Sequence, residues 1–155
     1  MNSQHRIAAH AKRRWQASPT AWIETLAANS DQCQEHATAV MVMVRTAFEV
    51  LKSGQGEPKD FDRLAGAINV GLIRAESIDP LAEQTMQAGI DAMQHCDNIW
   101  QRHGRYGFSG PDLTAIADAL ELYEGILRMS KPRQMEEALN ESARRMLQQA
   151  QGVAA

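Results

Sequence analysis

Apolar residues recur along most of this chain at intervals of three and four, the spacing that places them on one face of an α-helix. Phe61, Leu64, Ala65, Ile68, Leu72 and Ala75 form one such face. Leu81, Thr85 or Met86, Gly89, Met93, Cys96 and Trp100 form another, and Leu113, Ile116, Ala117, Leu120 and Leu127 a third. Met135, Ala138, Leu139, Ser142 and Met146 mark a fourth. Residues 32–52 are less plain, because Val40-Met41-Val42-Met43-Val44 could be a buried strand. Helical spacing of Ala37, Val40, Met41, Val44, Phe48 and Leu51 across the whole segment predicts a helix instead. Apolar on most sides, it is expected to be a central, buried helix. Nearer the start, residues 4–17 predict a short basic helix with Ile7, Ala11 and Trp15 in line, and residues 21–28 a second with Trp22, Ile23 and Leu26.

The punctuation agrees with this division. Ser18-Pro19 and Asn29-Ser30-Asp31 separate the short helices, and Gly54 and Gly56 stand at a helix exit. Asp79 before Pro80 is a natural N-cap followed by proline at the first helical position. Gly104-Arg105-Tyr106-Gly107-Phe108-Ser109-Gly110 is a loop, Pro111 opens the next helix, and Ser130 is expected to cap the last one, which ends at Gln151-Gly152. The predicted fold is all-α: an antiparallel helical bundle of four long helices with two short N-terminal helices. Residues 1–30 form a basic appendage and residues 31–152 the bundle domain.

Composition narrows the class. The chain has 155 residues, 44% hydrophobic and 23% charged, enough to bury one core without disulfides or metal. Two cysteines, Cys33 and Cys96, exclude a cysteine-dense secreted scaffold, and both are expected to be reduced. No uncharged apolar run reaches 18 residues, so no membrane partner is expected, and Asn2, Ser3, Gln4 and His5 are too polar for a signal peptide. The expected location is cytoplasmic. A net charge of −3 hides an asymmetry: Arg6, Lys12, Arg13 and Arg14 all precede the first acid, Glu24.

Candidate chemistry is sparse. Cys33 and His36 lie one helical turn apart, and His95 and Cys96 could complete a zinc site. Neighbours on a helix diverge by about 100°, however, so His95 and Cys96 cannot easily share an ion. No Glu-x-x-His pair for a di-iron bundle is present, nor a Gly-x-Ser-x-Gly, His-Glu-x-x-His or phosphate-binding glycine loop. The expectation is therefore no metal, no cofactor, no catalytic residue and no enzymatic activity. Asp62, Asn69 and Glu76 recur every seven residues beside Gly66 and Gly71, which reads as close approach of a neighbouring helix or of a polar partner. The 102–110 loop is the better contact candidate. Arg102, Arg105 and Tyr106 are of the types enriched at protein hot spots, and arginine with aromatics also suits single-stranded nucleic acid. Tyr106 and Phe108 could instead fold back and plug the bundle end.

Residues 61–76, Phe61-Asp62-Arg63-Leu64-Ala65-Gly66-Ala67-Ile68-Asn69-Val70-Gly71-Leu72-Ile73-Arg74-Ala75-Glu76, followed by Asp79-Pro80-Leu81, resemble a group of uncharacterised small helical bacterial proteins often associated with prophages and other mobile elements. Arg105-Tyr106-Gly107-Phe108 with Gly110-Pro111, and Ala119-Leu120-Glu121-Leu122-Tyr123-Glu124, fit the same group. The resemblance spans roughly residues 59–140 and implies a bacterial accessory protein, with no activity, cofactor or site attached. The expected function is a non-enzymatic interaction protein, with a protein as partner through Arg102, Arg105 and Tyr106. The alternative is a nucleic-acid-binding regulator using Arg6, Lys12, Arg13 and Arg14 with the loop. A homo-oligomer is compatible with either.

Overall fold

The computed structural model describes residues 33–154, and these form five α-helices with no strand among them. They are α1 (Cys33–Lys52), α2 (Pro58–Glu76), α3 (Pro80–His103), α4 (Gly110–Met129) and α5 (Pro132–Ala154). The short helices expected within residues 1–30 lie outside the described residues. The long helices number five where the predicted bundle had four, since all five apolar-periodic segments from residue 32 onward are separate long helices. Gly54 takes a left-handed φ of 78° after α1, and Asp79 Oδ1 accepts from Leu81 N at 2.7 Å to start α3. Ser109 Oγ accepts from Asp112 N at 3.3 Å to start α4. Ser130 does not cap α5 as expected. It closes α4, its N–H donating to Ile126 O, and its buried hydroxyl accepts from Arg74 Nε at 3.2 Å.

The central helix is α2, not α1. It packs against each of the other four helices. Phe61, Leu64, Ala65, Gly66, Ala67, Ile68, Val70, Gly71 and Ala75 are all buried, so apolar or small residues cover nearly its whole circumference. Close approach explains Gly71 and Gly89. A Cβ on Gly71 would lie 2.3 Å from Met86 Cε and 3.1 Å from Tyr123 Cδ2; one on Gly89 of α3 would lie 2.8 Å from Ala119 Cβ of α4. By contrast α1 buries one stripe, Ala37, Val40, Met41, Val44, Ala47, Phe48 and Leu51, and leaves Val42 60% exposed. Its apolar run is broader than the face it buries, which is why the pattern alone suggested a central place.

Helix α5 follows a different path. Arg74 reaches Ser130 just before α5, and two residues on, Glu76 receives both Arg145 Nη groups at 2.7 and 2.9 Å. About 20 Å of helix separates those two partners at about 1.5 Å per residue. Helix α5 therefore passes across the C-terminal turn of α2 and does not run along it. Glu76, in the polar line noted with Asp62 and Asn69, is thus a helix-packing residue.

The glycine contacts give a paired prediction. Gly89→Ala must push against Ala119 and Ile68 Cγ2, 3.2 Å away, and is expected to cost about 1–3 kcal/mol through overpacking. Gly125→Ala in α4 meets nothing within 4 Å and is expected to gain up to about 1 kcal/mol from helix propensity. Denaturant unfolding of both variants at equal m-value measures the difference.

Candidate functional site

The contact candidates sit where α3 ends. Arg102 and His103 occupy its last turn, where positive charge meets the negative end of the helix dipole. Gly104 then takes φ 70°, its N–H donating to Trp100 O at 2.7 Å. Nothing lies within 4 Å of where its Cβ would be, so glycine is needed there for conformation and not for space.

Two residues later the chain turns inward. Tyr106 is 2% exposed and stacks on two rings, Phe61 of α2 at 5.2 Å between centroids and Trp100 of α3 at 5.7 Å, inclined by 18° and 23°. The expectation that Tyr106 is a partner-binding residue is thereby corrected: its ring belongs to the core. Aromatic pairs in such contact contribute about 0.5–1.5 kcal/mol beyond area burial, which outweighs leaving a large ring in water. Phe108 is half-buried, with its ring edge-on to Phe48 of α1 at 5.6 Å. Lys52 Nζ stands 5.2 Å from the centroid of that Phe48 ring. The loop thus plugs the bundle end, which was the other course open to its aromatics.

Arg102 and Arg105 are exposed beside this plug, with His103. No side-chain hydrogen bond or ion pair joins any of the three to another residue among those described. The lysines on the neighbouring turns differ, since Lys52 pairs with Glu49 at 2.9 Å and Lys59 with Glu57 at 3.0 Å. The loop between α1 and α2 lies alongside, a Cβ on Gly54 falling 3.9 Å from Tyr106 O.

A contact that no local pattern signalled closes the base of the loop. His95 Nδ1 of α3 lies 3.0 Å from Asp112 Oδ1 in the first turn of α4. The imidazole is 61% exposed and the carboxylate 12%. Burial pushes the Asp112 carboxyl up, but hydrogen bonds with His95 and Ser109 and the imidazole's charge more than offset this, leaving it below the ordinary aspartate value. The Ser109-x-x-Asp112 spacing marks a helix start in the sequence; the link from residue 112 to residue 95 has no sequence signature. Such a pair fixes the orientation of the imidazole.

Among the described residues no three His, Cys, Asp or Glu side chains gather as a metal site. His95 is exposed while Cys96 is buried, as their divergence on one helix requires. The Cys33 side chain lies outside the described residues, as do Arg6, Lys12, Arg13 and Arg14, the alternative nucleic-acid contacts. No described helix is long and apolar enough to cross a membrane.

Tyr106→Ala is expected to lose about 3–5 kcal/mol, the cost of truncating a buried aromatic, whereas Arg102→Ala and Arg105→Ala each stay within about ±0.5 kcal/mol. Thermal unfolding of the three variants separates them. For Asp112 the folded pKa is depressed, so its stabilising contribution is fully present above the unfolded aspartate pKa. That contribution is lost as pH falls through the lowered folded value. Asp112→Asn should therefore lower stability at neutral pH and flatten the acid limb of the melting temperature measured from about pH 6 down to about pH 2.

No protein-family model, curated protein or solved structure matches the chain.

Proposed function

We propose that this chain is a non-enzymatic, cytoplasmic helical protein that acts by binding another protein, with Arg102 and Arg105 as its contact residues. In this reading α1 to α4 form an antiparallel four-helix scaffold, and the setting is the accessory or regulatory role in a mobile element that the sequence resemblance implies. The observation that carries the reading is a pair of exposed arginines without a partner among the described residues, Arg102 in the last turn of α3 and Arg105 on a loop held from beneath by Tyr106 and Phe108. A loop already fixed in place loses little conformational entropy on binding. A planar guanidinium takes a carboxylate through two parallel hydrogen bonds, so an acidic protein surface is the fitting counterpart.

The second reading, a nucleic-acid-binding regulator, would add Arg6, Lys12, Arg13 and Arg14 to the loop arginines. Phosphate contacts release counterions and make affinity fall steeply with salt, by about 10³–10⁵ between about 50 and 200 mM for an extensive interface.

Cross-linked capture from a bacterial host of the chain tests the first reading, with wild type and the Arg102→Ala/Arg105→Ala double variant as baits. The expected result is a protein captured by wild type and at least about tenfold depleted with the variant, since a hot-spot truncation costs about 2 kcal/mol or more. Equal capture by both baits counts against Arg102 and Arg105. Capture abolished by nuclease, together with binding to a single-stranded oligonucleotide that collapses as salt rises, favours the second reading.

A further inference from the structure

We propose that α5 is a releasable strap, which detaches from the rest of the molecule as a unit while α1 to α4 stay folded. Its attachment is narrow. Among the described helices only α2 shares an extensive contact with it, whereas α1, α3 and α4 each pack against at least two others. Its fully buried side chains are small, Ala138 and Ser142, with Met135, Leu139 and Met146 partly covered. Little apolar surface is therefore removed from water for a helix of 23 residues.

Beside this small apolar contact, one ion pair joins α5 to α2. Arg145 takes Glu76 of α2 with both Nη groups and Glu141 of its own helix with Nε at 2.8 Å. Arg144 takes Glu141 at 2.7 and 2.8 Å. These hydrogen bonds from Arg144 and Arg145 pull the Glu141 carboxyl down to about 2. Yet the Arg145 and Glu76 side chains are 41% and 33% exposed, and exposed ion pairs are weak and screened by salt. Past Arg145 the chain carries no charged side chain, and Leu147 is 60% exposed, so the distal turns add no second fastening of this kind. Segments with few buried apolar contacts and solvent-exposed fastenings open below the global unfolding free energy. A molecule offering its own carboxylate to Arg145 would shift the same equilibrium, because it binds only the open form. This inference is independent of Arg102 and Arg105, which lie on other elements.

Hydrogen–deuterium exchange on the full chain tests it. In low salt, amides of residues 136–145 should exchange at least about tenfold faster than those of residues 64–72, since local opening costs less than global unfolding. Salt at about 1 M, where the screening length is about 3 Å, and Arg145→Ala should each accelerate residues 136–145 about fivefold and leave residues 64–72 unchanged. Arg145→Lys, which keeps one charge, should fall between. The inference is overturned if residues 136–145 exchange at the rate of residues 64–72, with fast exchange confined to residues 146–154, which is end fraying alone. It is overturned equally if neither salt nor Arg145→Ala changes the ratio. Should Arg145→Ala fail to fold, the wild-type salt series decides by the same two criteria.

Discussion

Everything in this molecule depends on α2 having neighbours on every side. A helix surrounded in this way cannot carry large side chains all round, because neighbouring axes pack about 8–10 Å apart. The sequence meets that demand with Ala65, Gly66, Ala67, Gly71 and Ala75 between Phe61, Leu64, Ile68 and Val70. Glycine inside a helix costs about 1 kcal/mol against alanine. Here the space it leaves holds Met86 and Tyr123, whose burial offsets that cost. Because α2 supplies a continuous apolar surface, each surrounding helix needs only one stripe of its own. That is the pattern of α1, whose outer side is free to carry exposed residues such as Arg45. Arg45 in turn reaches Glu124 of α4 at 2.9 Å.

The far end of α3 shows how a core residue can serve a surface. Tyr106 contributes no atom to an outer face, yet its seat between Phe61 and Trp100 fixes the backbone on both sides of it. Phe108 on Phe48 and the His95–Asp112 contact hold the rest of the loop. Arg105 therefore projects from a frame with three separate anchors, reaching α1, α2, α3 and α4. Loops commonly carry binding residues on rigid scaffolds for this reason: the scaffold bears the ordering cost before a partner arrives.

How much of this was legible in the sequence follows from the range of the forces involved. Helix limits are set by local chemistry, and Gly54, Asp79-Pro80, Gly104 and Pro111 announced them. Inward faces of α2 and α4 followed from spacing, since Phe61, Leu64, Ile68, Ile116 and Leu120 are all buried. Ala117, placed on the inward face of α4 by its spacing, is exposed, and two larger residues also depart from that rule. Leu81 continues the apolar line of α3 yet is 69% exposed, because it lies in the first turn, at the edge of the packed region. Val42 misled in the same way within α1. The direction of Tyr106 could not be read, since a loop has no periodicity to aim its side chains. Nor could His95 with Asp112, Arg74 with Ser130 or Arg145 with Glu76, each of which joins positions far apart in the chain and depends on how the helices cross. The crossing of α5 over α2 is the clearest instance, since the amphipathic stripe of α5 suits a parallel and a crossed neighbour equally.

Charge distribution bears on which partner suits the arginine-bearing end. Residues 33–154 contain 17 acidic and 12 basic side chains. The described unit is thus negative overall, although Arg102 and Arg105 stand at one end of it without a partner among the described residues. A long polyanion laid against that end would also meet the acidic remainder, and the repulsion grows with every phosphate brought near. A compact acidic patch on a protein avoids that penalty by touching the basic end alone. The surrounding negative field would then turn it away from every other approach, which is how charge sets orientation more than raw affinity. The basic residues before Glu24 would have to lie beside the same end to reverse this balance in favour of nucleic acid. On the proposed reading, the choice between an acidic protein and a nucleic acid reduces to where four charges sit relative to two arginines.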